Sequence, residues 1–557
     1  MLGTGGIFTA YHIQYLLLDA ELRAKISDNK MLLNVLCCLV VFLAVQVFTS
    51  NTGLTCLISH IVLLSLAGIN YFVYLFRGNE FIFSDLKSIQ TGLSVAGNYE
   101  FVLDERAGYV ILLSTLYIAF IRKLHVSFQK RIPMSIVCIS LAVLCCAYIG
   151  KHTQGVVTET WEQKGSYRNG YILNFVLSIR DCFIAQPDGY SKEAVKELED
   201  QYSKETDTAT GETEKKPTII VVMSESYADL SVVGNFSTNI DLTPFYDSLE
   251  ENTIKGHALS SVFGAKTPNS EWEFLTGNSM AFLPSGSVVY QQYITDTPTS
   301  LVSNLKISVT PVWQCILIMI PDGAAISYIE YGIDETHFID DFDQTKILRD
   351  YITDQEMYEK IVDRYESKKS NEDLFIMSIS MQNHGGYTEK YDNFDEKARM
   401  LGINYPDVNQ YLSLIHESDS ALEYLISYFE KVDDPVEIVF FGDHQPSLSS
   451  SFYPYLNGKG LGGLTLSELE NLYTVPFFIW TNYDSGKESV ELTSLNYLST
   501  LALERAGIAL PAYNQFLADM MEEIPAVNSR GFYSKSQGKI FTCGRCGRRG
   551  CKMAEKL

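Results

Sequence analysis

The chain contains the run TIIVVM at residues 218–223, followed at once by Ser-Glu-Ser at 224–226, and the run VEIVFF at residues 436–441, followed by Gly-Asp-His-Gln at 442–445. Short apolar runs rich in β-branched and aromatic residues are typical of strands buried on both faces of a parallel sheet. In such sheets, ligands bind beyond the carboxyl ends of the strands. These two segments therefore predict both a fold and the place of its chemistry.

Two further apolar runs, Asp373–Ser380 (DLFIMSIS) and Val475–Trp480 (VPFFIW), have the same character, and helical stretches such as residues 405–430 lie between them. Alternating strands and helices are typical of an α/β domain with a mainly parallel central sheet. We expect this domain to occupy residues 217–520 and a C-terminal tail to follow at 521–557.

The first 151 residues hold most of the long apolar runs and predict a helical transmembrane domain. A helix needs about 20 residues to cross a bilayer. Four runs approach that length, at residues 31–50, 54–76, 108–122 and 133–151. We therefore expect a multi-pass protein of the cell membrane with four spans.

Basic residues in short loops predict the orientation of the spans. The segment 122–131 (RKLHVSFQKR) is strongly basic and is expected to be cytoplasmic, which places everything after residue 149 outside. Arg23, Lys25 and Lys30 beside the first span conflict with this orientation. A fifth, weak span within residues 5–19, or a truncated start, would resolve the conflict.

Residues 152–216 are predicted to form an extracytoplasmic linker, because the stretch 191–216 is polar and charged, with almost nothing to bury. The net charge of −24 argues against a nucleic-acid partner, since phosphate backbones attract Lys and Arg. Six of the 11 cysteines lie in apolar stretches and three lie near the C-terminus. A disulfide framework is therefore not expected.

Besides the polar residues at 224–226 and 442–445, the sequence contains two further polar segments of interest. Gln382-Asn-His384 ends another predicted strand, and GAKTPNS at residues 264–270 precedes a helix expected to begin near Glu271. Each element alone has an ordinary structural explanation, such as a helix cap or a solvated turn. Two carboxylates, an imidazole and a hydroxyl at separate strand ends of one sheet can instead converge on a divalent cation.

The carboxylates are those of Glu225 and Asp443, the hydroxyl is that of Thr267, and His384 and His444 are the histidines that follow the strands. The positive field at a helix N-terminus would stabilise an alkoxide at Thr267 and a phosphate attached to it. A bound metal would lower the pKa of the threonine hydroxyl and hold the phosphoryl oxygens. The pattern therefore predicts a metal-dependent site that activates the hydroxyl of Thr267.

At these residues the chain resembles a known family. Residues 217–520 are similar to the catalytic domain of lipoteichoic-acid synthases and related phosphoglycerol transferases, within the alkaline-phosphatase and sulfatase superfamily. The matching pieces are VVMSESYADL, GAKTPNSEWEFLTG, MSISMQNHGGY and VFFGDHQP. The segment 76–101 (FRGNEFIFSDLKSIQTGLSVAGNYEF) is similar to the inter-span loop of that family.

The resemblance implies that Glu225, Thr267, Asp443 and His444 bind the metal, usually manganese or magnesium, and that His384 contacts the substrate. It also implies a ping-pong reaction. Thr267 would attack the head-group phosphodiester of phosphatidylglycerol, release diacylglycerol and carry glycerol phosphate covalently. A polyglycerolphosphate (lipoteichoic acid) chain, or a related lipid-linked or glycan acceptor, would then take the group.

Residues 307–328 depart from that family. The family has a strand here, followed by a His-Pro-Tyr and Gly-Trp-x-Arg stretch that helps bind the head group, whereas this chain reads ISVTPVWQCILIMIPDGAAISYIE at 307–330. A one-base shift of the reading frame across 312–320 permits His-Pro-Tyr, and its continuation permits Gly-Trp-Ser-Arg. This favours two compensating insertions or deletions in the coding DNA over a divergent loop.

Residues 538–557 are a similar case, since a shifted frame permits an acidic run and Lys-Trp-Leu-Lys-Lys. In the present frame Cys543, Cys546 and Cys551 supply three thiolates. A structural zinc site needs four ligands, so metal binding is not expected there.

Three rival interpretations remain open. A sulfatase needs a Cys or Ser followed by x-Pro-x-Arg, which Thr267-Pro-Asn-Ser does not provide. A phosphoethanolamine transferase shares the threonine and the metal, but is usually richer in extracytoplasmic cysteine pairs than a domain with only Cys182 outside the doubtful segments. The third is a folded but inactive membrane protein that lacks the head-group motif at 307–328.

Overall fold

The structure is a computed structural model of the 557-residue chain. It describes residues 1–49, 51–77, 80–88, 103–123, 131–154, 156, 164–180, 189–206, 216–283, 287–294, 299–307, 313–319, 332–369, 372–449, 451–460 and 463–542. The chain forms two compact units, Met1–Ala185 with Pro284–Ser287 and Gln186–Leu283 with Val288–Leu557.

The first unit is helical. Its helices are Leu2–Leu17, Ala20–Ala24, Asp28–Phe48, Thr52–Arg77, Glu105–Ile121, Arg131–His152, Lys164–Asn169 and Tyr171–Arg180, with a 3-10 helix at Phe83–Ser88. Ser27 caps the third helix and Asp104 caps the fifth, each by accepting a hydrogen bond from a backbone N–H of the first turn. The weak segment within residues 5–19 is thus part of a helix.

Among the described residues, three helices are long and apolar enough to cross a membrane, at Asp28–Phe48, Thr52–Tyr74 and Ile132–His152. They coincide with three of the four predicted spans. The other predicted span, residues 108–122, lies in the helix Glu105–Ile121, whose 17 residues are fewer than the roughly 20 that a span usually needs. A fourth and a fifth crossing stay predictions.

Buried polar side chains join three helices of this unit. The Ser114 hydroxyl lies 3.0 Å from His12 Nε2 and 3.1 Å from His60 Nε2, and His60 Nδ1 lies 2.9 Å from the Thr9 hydroxyl. Hydrogen bonds of this kind hold helices together where lipid offers no hydrophobic driving force between them.

The second unit is built on an eight-stranded sheet with the strand order β10-β2-β9-β8-β1-β7-β3-β4. These strands are β1 (Thr218–Ser224), β2 (Thr253–Leu259), β3 (Trp313–Met319), β4 (Glu335–His337), β7 (Asp373–Ile379), β8 (Val436–Gly442), β9 (Thr474–Thr481) and β10 (Glu488–Ser494). Strand β9 is antiparallel to both of its neighbours, and the other pairs are parallel. The prediction of a mainly parallel α/β sheet is confirmed.

Smaller strands form two additional sheets. They are β5 (Ile347–Leu348) with β6 (Tyr351–Ile352), and β11 (Ala526–Val527) with β12 (Gly531–Ser534) and β13 (Lys539–Thr542). The helices of this unit are Lys192–Thr206, Pro244–Ser248, Thr267–Thr276, Val289–Gln292, Leu301–Ile307, Asp354–Glu366, Pro406–Phe429, Phe452–Asn457, Leu466–Glu470, Leu495–Arg505 and Ala512–Glu523. Helix Lys192–Thr206 begins the predicted linker segment 191–216, of which residues 207–215 lie outside the described residues.

The central sheet is buried on both faces, because successive side chains of β1 point to opposite sides. Ile220 and Val222 belong to one apolar cluster, whereas Ile219, Val221 and Met223 belong to another. Two-sided burial explains why this strand reads as a continuous apolar run and not as an alternating one.

Part of the segment that departs from the resembled family completes the sheet. Strand β3 pairs in parallel with β7 over its full length and with β4 at its carboxyl end. Residues 308–312 and 320–331, where the head-group motif was expected, lie outside the described residues, as do 543–557 with the three C-terminal cysteines. The frame-shift hypothesis therefore stays a prediction.

Strand β8 carries a glutamate where an apolar residue would be expected. The side chain of Glu437 is fully buried, and neither carboxylate oxygen makes a hydrogen bond among the described residues. Burial raises the pKa of Glu437 well above its usual range, and the Arg505 guanidinium offsets this only in part. Because the folded pKa exceeds the unfolded one, stability is lost as the pH rises above the unfolded pKa of about 4.3.

We therefore expect Glu437→Gln to stabilise the protein at pH 8, by about 1 to 3 kcal/mol, and to do so less at pH 5. Thermal unfolding of the full chain in detergent at the two pH values measures this difference. Glu488→Gln, an exposed glutamate of β10, is the matched control and should change neither value. Equal stabilisation at both pH values would show that Glu437 does not titrate in this way.

Candidate active site

The two carboxylates predicted from the sequence leave the sheet side by side. Ser224 of β1 and Gly442 of β8 are register partners at the carboxyl ends of parallel strands, so that Glu225 and Asp443 follow at the same edge. Both are buried, with 3% and 0% of their surfaces exposed. Glycine is required at 442, because a Cβ there would lie 1.8 Å from the carbonyl oxygen of Tyr227.

Asp443 is held at both its side chain and its backbone. Its Oδ1 accepts hydrogen bonds from the backbone N–H groups of Ser226 (2.7 Å) and His444 (2.8 Å). Its carbonyl oxygen accepts from the hydroxyls of Ser260 and Ser270, each at 2.7 Å. These contacts leave Oδ2 directed at the centre of the site.

Thr267 is the first residue of the helix Thr267–Thr276, four residues before the start expected from the sequence. Its hydroxyl lies 2.7 Å from Asp443 Oδ2 and 3.0 Å from Glu225 Oε2. The hydroxyl has one proton, so it donates to one carboxylate at a time. The structure thus places this hydroxyl beside both carboxylates.

The backbone is strained beside two of these residues. Lys266, directly before Thr267, has a φ of +75°, and Ser226, directly after Glu225, has a φ of +50°. Left-handed backbone costs a non-glycine residue about 1 kcal/mol or more and is often found at functional sites. In this chain the two strained positions directly adjoin Thr267 and Glu225.

His444 completes the group. Its Nδ1 lies 3.0 Å from the carbonyl oxygen of Gln445, so Nδ1 donates this hydrogen bond and Nε2 is the nitrogen on the side of the two carboxylates. Nε2 is buried, makes no hydrogen bond among the described residues, and lies 3.3 Å from Asp443 Oδ2 and 3.9 Å from Glu225 Oε1. A histidine oriented by a carbonyl, with a free inward nitrogen, has the arrangement of a metal ligand.

One ligand atom from each of Glu225, Asp443 and His444 falls within 4.8 Å of the other two. Burial, and next the negative charge of Glu225, raise the pKa of Asp443. A divalent cation between the two carboxylates would remove this cost, since it neutralises both. The residues present therefore fit a divalent cation, with the Thr267 hydroxyl as a possible fourth ligand.

His384 follows β7, which ends at Ile379, and its side chain is exposed. Its neighbours Gln382 and Asn383 are buried and donate to the Ser418 hydroxyl, at 3.1 and 2.9 Å. Of the three polar residues that follow this strand, His384 therefore stays accessible, whereas Gln382 and Asn383 have structural roles.

Two other parts of the site have no signature in the sequence. The Tyr351 hydroxyl lies 3.1 Å from His384 Nδ1, although 33 residues separate them. Asn528 donates to the carbonyl oxygen of Ser260 (3.1 Å), and Ser529 donates to that of Ser261 (2.9 Å). The small C-terminal sheet thereby holds the loop that leads to Thr267, and no residue spacing could have shown this.

Comparison with known proteins gives one family match. A family model described as Sulfatase matches residues 217–508, more than half of the 557-residue chain. The match begins with β1 and includes all five predicted site residues.

Two curated proteins of Rhizobium meliloti (strain 1021) are similar to the chain. The putative cyclic beta-1,2-glucan modification protein is 25% identical over 378 residues, which cover 66% of this chain and 57% of that protein. The capsular polysaccharide biosynthesis protein RkpI is 29% identical over 255 residues, which cover 43% of this chain and 44% of that protein. The chain thus spans about half the length of these relatives.

A solved structure has the same fold. The phosphoglycerol transferase GacH of Streptococcus pyogenes, in complex with sn-glycerol-1-phosphate, superposes with a TM-score of 0.52 at 20% sequence identity. The superposition covers 62% of this chain and 89% of that structure. At this identity the likeness concerns the fold alone.

Proposed function

Because this chain belongs to the sulfatase family, we propose that it is a membrane-anchored, metal-dependent phosphoglycerol transferase that moves glycerol phosphate from phosphatidylglycerol to a glycan acceptor. The observation that carries the proposal is the position of the Thr267 hydroxyl, 2.7 Å from Asp443 Oδ2 and 3.0 Å from Glu225 Oε2 at the start of a helix. A hydroxyl in this place suits nucleophilic attack on phosphorus.

Glu225, Asp443 and His444 would hold the metal, with manganese or magnesium the expected ion. When bound, it would lower the pKa of the Thr267 hydroxyl and neutralise the phosphoryl oxygens. Asp443 Oδ2 is the acceptor nearest to the hydroxyl proton. Thr267 is the first residue of its helix, and the positive end of the helix dipole there would favour the negative charge of the phosphate.

In the first half-reaction, Thr267 Oγ1 bonds to phosphorus while the bond from phosphorus to the diacylglycerol oxygen breaks. Diacylglycerol leaves as the alcohol with the proton that the threonine lost. In the second half-reaction, an acceptor hydroxyl bonds to phosphorus, the bond to Oγ1 breaks, and the threonine regains a proton. Glycerol phosphate thus passes from one phosphate ester to another without hydrolysis.

The proposed glycan acceptor and the proposed location of the catalytic unit are supported by different observations. The names of the two curated relatives concern a glucan and a capsular polysaccharide, which favours a glycan acceptor over a protein or nucleic acid. Three apolar helices precede the catalytic unit and would keep it at a lipid surface, on the extracytoplasmic side that the basic segment 122–131 predicts.

The test is a comparison of phospholipid head groups. Full-length protein in detergent with manganese is supplied with acyl-labelled phosphatidylglycerol or phosphatidylethanolamine, with and without a glucan acceptor, and diacylglycerol release is measured. We expect release from phosphatidylglycerol to be at least about tenfold faster, since one discriminating hydrogen bond of about 1.4 kcal/mol suffices for this ratio. The acceptor should accelerate it further.

Faster release from phosphatidylethanolamine would replace this proposal with phosphoethanolamine transfer. Release that is unchanged by every acceptor would indicate a hydrolase. No release from either lipid, with a metal bound, would indicate an inactive relative.

A further inference from the structure

A tight turn of the small C-terminal sheet is built around Asn528. The turn joins β11 to β12, and the Oδ1 of Asn528 accepts hydrogen bonds from the backbone N–H groups of Arg530 (2.8 Å) and Gly531 (3.1 Å). The asparagine side chain is fully buried. A side chain that bonds its own backbone two residues on fixes the turn, so the direction of its amide nitrogen is fixed as well.

That amide nitrogen and the next residue of the turn reach the loop that leaves β2. Asn528 Nδ2 donates to the carbonyl oxygen of Ser260 (3.1 Å) and to Glu470 Oε2 (2.7 Å). The Ser529 hydroxyl donates to the carbonyl oxygen of Ser261 (2.9 Å). Two successive carbonyls of the loop are therefore bound by two successive residues of the turn.

The same two loop residues contact the candidate active site. The Ser260 hydroxyl donates to the carbonyl oxygen of Asp443 (2.7 Å). The Ser261 hydroxyl donates to Glu273 Oε1 (2.7 Å), on the helix that begins at Thr267. One serine thus connects the turn to a carboxylate residue of the predicted metal site, and the other connects it to the helix of the nucleophile.

The C-terminal sheet gives this turn a firm support. Val527 and Phe532, on the two strands beside the turn, pack in one buried apolar cluster with Tyr497 and Leu517. The backbone N–H of Val527 donates to the hydroxyl of Ser494 (3.2 Å), the last residue of β10 in the central sheet. Close-packed interiors transmit displacements and do not absorb them, so the turn holds the loop in one place.

The turn lies beyond the part of the chain that the sulfatase family model matches. That match ends at residue 508, whereas the turn follows Val527, the last residue of β11. The catalytic domain expected from the sequence also ends before it, at residue 520. The family match therefore assigns no role to this turn.

We propose that Asn528 is a positioning residue of the transfer reaction, which acts through Ser260 on the placement of the Thr267 hydroxyl. The inference rests on the proposed function, because it concerns the same nucleophile. A displacement of about 1 Å far from the chemistry can lower a rate about 100-fold. Loss of the bond to Ser260 should therefore lower kcat. It should leave KM nearly unchanged, since the contacts that bind the substrate remain.

A double variant removes the bond to Ser260 alone. Asn528→Asp keeps the acceptor oxygen of the turn, but places a carboxylate beside Glu470. Glu470→Gln in the same chain supplies an amide that donates to this carboxylate, so the bond between positions 528 and 470 is kept with its direction reversed. The number of carboxyl groups at this place is also unchanged. The double variant thus keeps the turn and its bond to position 470, and lacks the donor to Ser260.

Two single variants are controls. Glu470→Gln alone keeps an acceptor oxygen for Asn528 and leaves the bond to Ser260 in place. Asn514→Asp removes the donor of another buried asparagine in the same unit, which bonds to the Thr500 hydroxyl (2.9 Å) and not to the loop. Both controls should keep the wild-type kcat, even where they lower the thermal midpoint.

The first measurement is hydrogen exchange of the full chain in detergent with manganese, which needs no turnover. The backbone N–H groups of residues 260–266 are expected to exchange about tenfold faster in the double variant, because a hydrogen bond that opposes local opening is lost. Residues 218–224 of β1 should be unchanged, as should residues 260–266 in both controls. Equal exchange in the wild type and the double variant would overturn the proposal.

The second measurement is kinetic. It uses phosphatidylglycerol and bis(p-nitrophenyl) phosphate, an activated phosphodiester without acyl chains. In the double variant kcat should fall about tenfold to 100-fold for both substrates, and KM should stay within a factor of about two. The variant should still contain one divalent ion per chain. A purely structural role of Asn528 would lower the thermal midpoint and leave the kcat of the folded enzyme unchanged.

The two hypotheses can fail separately. If the wild type turns over phosphatidylglycerol and the double variant keeps its kcat, the positioning role is wrong and the proposed function stands. If the wild type cleaves the activated phosphodiester but not phosphatidylglycerol, and the double variant loses that activity, the positioning role stands and the proposed function is wrong. A wild type without activity toward either substrate would overturn both.

Discussion

Replacement of Thr267 by alanine is expected to reduce diacylglycerol release by at least about a thousand-fold, as loss of a catalytic nucleophile does in other enzymes. The reason is geometric, because the Thr267 hydroxyl lies between Asp443 Oδ2 and Glu225 Oε2, and no other hydroxyl is within hydrogen-bond distance of both oxygens among the described residues. The measurement uses phosphatidylglycerol labelled in its head group. Without acceptor, the label should remain on denatured wild-type protein and be absent from Thr267→Ala.

Two variants serve as controls. Thr267→Ser keeps an oxygen in place and should retain measurable turnover and the trapped label. Thr276→Ala removes a hydroxyl from the other end of the same helix, where it bonds to the carbonyl oxygen of Trp272, and should not affect the label. Turnover in Thr267→Ala above about one tenth of the wild-type rate would show that water, and not this threonine, attacks the phosphorus.

Removal of the metal is expected to abolish turnover and to lower the thermal midpoint of the catalytic unit. The physical reason is that Glu225 and Asp443 are both buried beside each other and need a cation to offset their repulsion. A ligand at 100 times its Kd stabilises the native state by about 2.7 kcal/mol, so we expect a fall of about 5 °C or more on chelation. Elemental analysis of purified protein should find one divalent ion per chain.

His444→Ala should lose that ion, because Nε2 of His444 is the buried nitrogen without a hydrogen bond. His257→Ala is the matched control, since His257 is a partly exposed histidine of β2 in the same unit, and it should retain the ion and the midpoint. A wild type that purifies without stoichiometric metal and gains no stability from manganese or magnesium would contradict the metal site.

The parts of the site that the sequence predicted are those with a local signature. Glu225 and Asp443 each directly follow an apolar strand, and the parallel register then brings the two strand ends together. The polar segment GAKTPNS was predicted to precede a helix beginning near Glu271, and the helix begins within that segment, at Thr267. These features depend on neighbours within a few residues, which is why one sequence sufficed.

The rest depends on tertiary packing, which residue spacing does not encode. Tyr351 belongs to a two-residue strand, and nothing near it in the chain indicates that it meets His384. Glu437 lies within an apolar run whose pattern predicts a buried strand, but not a buried unpaired carboxyl group. The helix Glu105–Ile121 shows what composition alone does not predict. Its apolar character was evident from the sequence, but its length of 17 residues was not.

The departure at residues 307–328 illustrates the same distinction. Pairing of β3 with β7 requires only an extended backbone and apolar side chains, and Trp313–Met319 supplies both. A head-group motif requires particular side chains. A segment can therefore pair as a strand of the sheet without keeping the side chains that a head-group motif requires.

The separation of the site residues along the chain has a kinetic consequence. Thr267 is 42 positions from Glu225 and 176 positions from Asp443, so the group forms only after two long loops have closed and β1 has paired with β8. Contacts between distant residues form late, because the entropy of loop closure must be overcome before they stabilise anything. An ion therefore cannot guide the early steps of folding. The concentration of the ion should change the rate at which the native protein unfolds. It should leave the rate of folding unchanged.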